Sequence, residues 1–173
     1  MASQKTVLIT GCSAGGIGAA LALALAKRGH RVFATARDPS KISAELASLS
    51  VVHTLALDVT SAASVRAAAE AVGTITEELG IRGLDVLVNN AGVGYVRPLL
   101  DVDVAHAQQL FDTNLWGGLR MVQAFSDLLI LRRGRIVNVS SVGAFVNTPW
   151  IGRPPLLSSS CAVCRLTSSF SPS

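Results

Sequence analysis

The chain has 173 residues, enough for one domain and not two. Half of them are hydrophobic and 15% are charged, which excludes an intrinsically disordered chain. The formal charge of +4 comes from bases scattered among acids, with a single Tyr and no aromatic stacking series, so no nucleic-acid partner is expected.

In chain order, Thr6 to Thr10 (TVLIT) reads as a short apolar strand. A helix follows from Gly16 and stops at Gly29, with basic residues in its last turn, where they suit the helix dipole. The stretch from Thr6 to Ala26 is uncharged and long enough to imitate a membrane span. Gly11, Gly15, Gly16 and Gly18 break it into strand, turn and helix instead. Only Lys5 precedes it as a charge and no cleavage site is visible, so neither a membrane anchor nor a signal peptide is expected. His30 to Ala36 is a second strand. Asp38 and Pro39 read as a helix N-cap and a first-turn proline.

Val51 to Val59 is the third strand, and Ser61 to Leu79 a helix with Val65, Ala68, Val72, Ile75 and Leu79 on one face, stopped by Gly80. Leu84 to Gly92 is a strand running into a turn. Asp103 to Leu131 is expected as one long helix with Leu110, Phe111, Leu115, Leu119 and Val122 inward, and Gly117 and Gly118 open to a partner helix. Gly134 to Ser141 is the fifth strand. Strands that are apolar throughout and alternate with helices imply an α/β fold: a doubly wound, Rossmann-like parallel sheet of about five strands. It occupies residues 1–152. Residues 153–173 hold seven Ser and three Pro, show no periodicity, and are expected to be an irregular or disordered tail.

Three cysteines, Cys12, Cys161 and Cys164, make no disulfide framework and point to a reducing compartment. The Cys161–Cys164 pair has C-x-x-C spacing but no second ligand pair, so no metal is expected. His30, His53 and His106 are isolated.

The segment TGCSAGGIG, Thr10 to Gly18, lies between a strand and a helix. Glycines there let the backbone turn sharply and approach a pyrophosphate, while the helix N-terminus offers free N–H groups. The second strand ends at Arg37, 19 residues past Gly18. A guanidinium there suits a 2′-phosphate, which favours NADP(H) over NAD. The competing assignment is a solvated Arg37 with Asp38 as a ribose-binding acid, but Asp38 is better used as the helix cap.

With TGCSAGGIG, FATAR, LDVT, NNAG, NLWG and GRIVNVSS in order, the sequence resembles an NADP-preferring short-chain dehydrogenase/reductase from Lys5 to about Gly152. Within that family it is most similar to the fungal NADPH-dependent 1-acyldihydroxyacetone-phosphate reductase branch. Four residues, not the usual three, separate Gly11 from Gly16. The resemblance implies that Gly11, Ser13, Gly16, Ile17 and Gly18 line the pyrophosphate, Asp58 and Val59 border the adenine, and Asn90, Ala91 and Gly92 follow the ribose. It also implies that Asn114 holds a water in a proton relay and that Ser141 hydrogen-bonds the reacting carbonyl.

The family's catalytic Tyr and Lys, four residues apart, would follow Ser141 by about a dozen positions. Here that region is IGRPPLL, with no Tyr after Tyr95 and no Lys after Lys41. The expectation is therefore an NADPH-dependent reductase of a carbonyl compound such as a lipid-linked ketone, whose chain here lacks turnover. The alternative is a non-catalytic NADP-binding protein that pairs with an intact relative. The helix covering the fifth strand is expected to be missing, which leaves that strand an apolar edge. The tail SSSCAVCRLT echoes the family's next helix, as a damaged copy, an intron read through or a shifted frame. The resemblance further implies a homo-oligomer and a place in the cytoplasm or on the cytosolic face of the endoplasmic reticulum or lipid droplet.

Overall fold

The computed structural model describes residues 4–94, 99–141 and 163–165. Five parallel strands form the sheet: β1 (Thr6–Ile9), β2 (Arg31–Ala36), β3 (Val52–Ala56), β4 (Val86–Asn89) and β5 (Arg135–Asn138). Their order is β3-β2-β1-β4-β5, and the short β6 (Val163–Arg165) adds an antiparallel strand beside β5. The β5 edge is thus paired over Arg135 to Val137, where an open apolar edge was expected. The remainder of the expected irregular tail lies outside the described residues.

The helices are α1 (Ile17–Lys27), α2 (Ala44–Ala47), α3 (Ala62–Glu78), α4 (Val104–Phe111) and α5 (Gly117–Leu131), with 3-10 turns at Pro39–Lys41 and Leu99–Asp101. The central strands β1 and β2 bury side chains on both faces, which is why they read as continuous apolar runs. On one face Val7, Ile9, Val32, Ala34 and Val88 pack against α1, through its Ala22 and Ala26. On the other, Leu8, Phe33, Leu87 and Ile136 meet Val65, Ala68 and Val72 of α3 and Met121, Phe125 and Leu129 of α5.

The expected cap at Asp38 is present, and Ser61 supplies a second one. Asp38 accepts from Ser40 N at 3.0 Å at the head of the 3-10 turn, and Ser61 accepts from Ser64 N at 3.2 Å at the head of α3. Asp38 is thereby committed to local structure, and bonds from the Ser40 hydroxyl and amide hold its carboxyl below the ordinary value.

The expected single helix from Asp103 to Leu131 is continuous but changes pitch. A π-helical turn at Asp112–Trp116 joins α4 to α5. The inward face also differs from the one expected. Leu110, Gly117, Met121, Phe125 and Leu129 are buried, whereas Leu115 and Leu119 are 44% and 46% exposed. This helix is apolar on two faces, so hydrophobicity alone does not choose between them. Gly117 does: a Cβ there would stand 2.8 Å from Val59 Cγ2, and its absence lets the helix approach. Gly117 and Gly118 therefore face Val59 and Asn89 of the same chain, not a partner helix.

At the amino end of the sheet, Asp85 joins four elements. Its Oδ2 accepts from Thr6 N (2.8 Å), Thr6 Oγ1 (2.9 Å) and Arg132 Nη2 (3.3 Å), and its Oδ1 accepts from Lys5 Nζ (3.4 Å). Its backbone oxygen accepts from Arg135 N at 2.9 Å. Burial pushes its carboxyl up, but the bonds from Thr6 and Arg132 outweigh that and leave it below its ordinary value. His53 stacks on Phe33 at 5.2 Å between ring centroids, and burial with the nearby Arg31 charge holds it below its ordinary value.

Candidate functional site

At the carboxyl ends of β1 to β4 a cleft of about 390 Å³ opens where the strand order reverses between β1 and β4. In open α/β sheets this switch point is where ligands bind. Gly11, Ser13, Gly16 and Ile17 line it from the first turn, Arg37 from the end of β2, Asp58 and Val59 from the turn after β3, and Asn90, Ala91 and Gly92 from the turn after β4.

The first turn has its shape because of its glycines. Gly11 has φ +74° and Gly15 φ +79°, a region that favours glycine. Gly18 is not among the lining residues. It lies beneath the turn, where a Cβ would stand 2.5 Å from both Gly11 O and Asn90 Nδ2. Its missing side chain lets α1 start directly under Gly11. The side chain of Asn90 fixes the same turn by donating to Thr10 O (2.8 Å) and Gly11 O (3.1 Å).

The N-terminus of α1 differs from those of α2, α3 and α4. Each of those has a Ser or Asp side chain accepting a first-turn N–H. Gly16 heads α1 with no side-chain acceptor and no acid in the first turn. Free N–H groups and the helix dipole there face a cleft and suit an anion.

Thr10 carries a function that the motif reading did not single out. Its Oγ1 accepts from Asn90 N and Ala91 N, both at 2.9 Å, and so holds the turn after β4 against the turn after β1. Buried Cys12 lies within the same turn. Burial pushes its thiol up to about 11, which makes it inert at neutral pH.

Asp58 turns back on its own loop, accepting from Thr60 N (2.9 Å) and Thr60 Oγ1 (2.7 Å). The Thr60 amide, then the Thr60 hydroxyl and the Arg37 charge, hold its carboxyl below the ordinary value. Arg37 itself is exposed at the rim.

Asn114 sits in the π-helical turn. Its Oδ1 accepts from Val93 N and its Nδ2 donates to Val93 O, both at 2.9 Å, so the side chain is used to hold the β4 turn. Thr113 from the same π-turn lines the cleft. Ser141 is exposed just past the end of β5. Tyr95 lies outside the described residues, as do Cys161 and the IGRPPLL segment, while Cys164 is described only within β6. Among the described residues no helix is long and apolar enough to cross a membrane, and Thr6 to Ala26 is resolved into β1, the glycine turn and α1.

The glycine cradle, the open helix terminus and the cation at the end of β2 together fit a phosphate-bearing dinucleotide. Known proteins agree. The family model for short chain dehydrogenase matches residues 5–172. A short-chain dehydrogenase of Penicillium ochrochloron is 49% identical over 149 residues, 86% of this chain and 53% of that protein. An NADPH-dependent 1-acyldihydroxyacetone phosphate reductase of Schizosaccharomyces pombe is 40% identical over 146 residues, 84% of this chain and 47% of that protein. A short chain dehydrogenase from Burkholderia cenocepacia, solved in complex with NADP, superposes with a TM-score of 0.74 at 30% identity, covering 90% of this chain and 60% of its own. The chain spans about half the length of the curated relatives it matches.

Proposed function

The chain belongs to the short-chain dehydrogenase family, oxidoreductases that use a nicotinamide cofactor, and from that premise we propose that its cleft binds NADP(H) for the reduction of a carbonyl compound. The observation that carries this reading is the uncapped first turn of α1 facing the glycine cradle, with Arg37 at the end of β2. The free N–H groups of that turn would hold the pyrophosphate, and Arg37 would hold the 2′-phosphate. Asp58 and Val59 would border the adenine, and Asn90 to Gly92 would follow the ribose. The NADPH-dependent relative and the NADP complex support this cofactor choice. A lipid-linked ketone is the substrate class suggested by the acyldihydroxyacetone phosphate reductase.

When bound, NADPH supplies the hydride. Ser141 offers its hydroxyl to the carbonyl oxygen that accumulates charge, and the π-turn bearing Asn114 steadies the wall beside it. A proton donor to that oxygen contributes typically ~10²–10⁴-fold. The positions about a dozen residues past Ser141, in IGRPPLL, hold neither a Tyr nor a Lys to serve there. This chain is therefore read as binding cofactor without turning over ketones.

Fluorescence titration with NADPH and NADH, followed by a ketone-reduction assay, tests both halves. NADPH should bind on the order of tenfold tighter than NADH, the worth of one charge-assisted contact, and R37A should level the two. Equal binding in the wild type removes the NADP assignment, and measurable ketone turnover removes the claim of inactivity.

A second reading, a non-catalytic partner for a longer relative, draws on the outward apolar residues Leu115, Trp116 and Leu119 of the long helical segment. Co-purification with a full-length relative supports it, and a monomer in the presence of that relative counts against it.

A further inference from the structure

Arg120 lies in the first turn and a half of α5, behind the cleft and outside its lining. Its side chain spans three acceptors. Nη2 binds Asp112 Oδ1 at 2.5 Å, while Nη1 reaches Asp112 O at 3.3 Å and Val59 O at 3.4 Å. Asp112 O is also the acceptor of the wide turn, taking the Gly117 N–H five residues on. The guanidinium is therefore bound both to the start of the π-helical turn and to the loop after β3. Gly117 presses against Val59 from the same side.

Two walls of the cleft depend on these contacts. Leu57, Asp58, Val59 and Thr60 form one wall. The π-turn contributes Thr113 directly and, through Asn114, holds Val93 of the opposite wall by both its backbone groups. A planar fork with donors on two nitrogens can hold two segments at a fixed spacing, and a lysine ammonium on a flexible stem cannot.

We propose that Arg120 is a positioning residue for the adenine end of the cleft, fixing the Asp58–Thr60 loop against the π-helical turn. This rests on the reading of the cleft as an NADP(H) site. Arg120 acts through Val59 and Asp112 and touches no cofactor atom.

The full chain and the variants R120M, R120A, D112N and R82M are titrated with NADPH and with 2′,5′-ADP, which probes the adenine end alone. R120M and D112N should each weaken both ligands on the order of tenfold, and their double variant should lose less than the product, as expected of one network. R82M, which breaks the exposed Arg82–Glu77 pair, should change neither. Millimolar ethylguanidinium should restore 2′,5′-ADP binding to R120A, a rescue that mere loss of fold stability does not give. If R120M does not fold, D112N, nearly unchanged in volume, carries the test. Wild-type binding with unchanged affinity in the folded variants overturns the role of Arg120 alone. A wild type that binds neither ligand overturns the cleft reading and this inference together.

Discussion

At the amino end of the sheet the Asp85 carboxylate takes hydrogen bonds from Thr6, Lys5 and Arg132, and its backbone oxygen takes one from Arg135. At the carboxyl end the first turn of α1 has no side-chain acceptor, and Gly11, Gly15 and Gly18 replace side chains with bare backbone. The same five strands thus end in a closed polar knot on one side and an open polar cradle on the other. Unmet donors facing water are tolerable, and they are available to an incoming anion. Unmet groups in the interior are not, so the amino end is filled. Stability and binding are assigned to opposite ends of one sheet.

The difference can be broken from either side. Asp85→Ala should have the largest effect, because it leaves Thr6 and Arg132 without their buried acceptor. Each buried donor left without an acceptor costs about 1–3 kcal/mol, and the buried Thr6 loses the acceptor of both its amide and its hydroxyl. Urea unfolding should show that loss while the folded fraction keeps its NADPH affinity; a matching drop in affinity would mean that the two ends are not independent.

Gly18→Ala should do the opposite. Its Cβ would meet Gly11 O and Asn90 Nδ2 at 2.5 Å, and both belong to the cradle. Overpacking of this kind costs roughly 1–3 kcal/mol, but the telling change is in calorimetric NADPH binding, which should be lost. Retained affinity would show that the turn can yield.

The smallest effect is on acid stability. Asp85 has its folded pKa below the unfolded value of 3.8. The unfolded chain therefore binds the proton first as pH falls. The stabilisation from Asp85 is complete above about 3.8 and is lost on the way down to the lowered folded value. Asp58 and Asp38 shift in the same direction and add to the slope. In D85N the decline of unfolding free energy below about pH 4 should be shallower. An unchanged slope assigns the acid limb to the other carboxylates.

The carboxyl end was the more legible of the two in the sequence. Gly11, Gly16 and Arg37 are local signals: a glycine turn after an apolar strand, and a cation at the end of the next one. The place of Asp38 before Pro39 marks it as a cap, and its bond to Ser40 is as local as the signal. The amino-end knot left no such trace, since Thr6 and Asp85 lie 79 residues apart and meet only through the order of the strands. The same separation hid Arg120, whose bond to Val59 spans 61 positions. The inward face of the long helix is not legible in hydropathy because Leu115 and Leu119 are as apolar as Met121 and Phe125. What sets that face is the space Gly117 leaves for Val59, and hydropathy does not record it. Thr10 carries no distinctive signal, because a threonine at a strand end has many uses. Only the neighbouring turn shows that its oxygen takes two amides.

The position of β1 in the sheet also bears on how the chain comes to be folded. β1 is made before both of its neighbours, β2 and β4, and lies between them. Its first neighbour is available once Arg31 to Ala36 exist, after the crossover that carries α1. Its second neighbour begins at Val86, and closing that longer loop carries a larger entropic cost. Until then one side of TVLI is an unpaired apolar ribbon, the kind of edge on which nascent chains stick together. Asp85, the residue immediately before β4, reaches back to Thr6 as that ribbon is covered. The knot that holds the finished sheet is thus also the latch on its last central pairing.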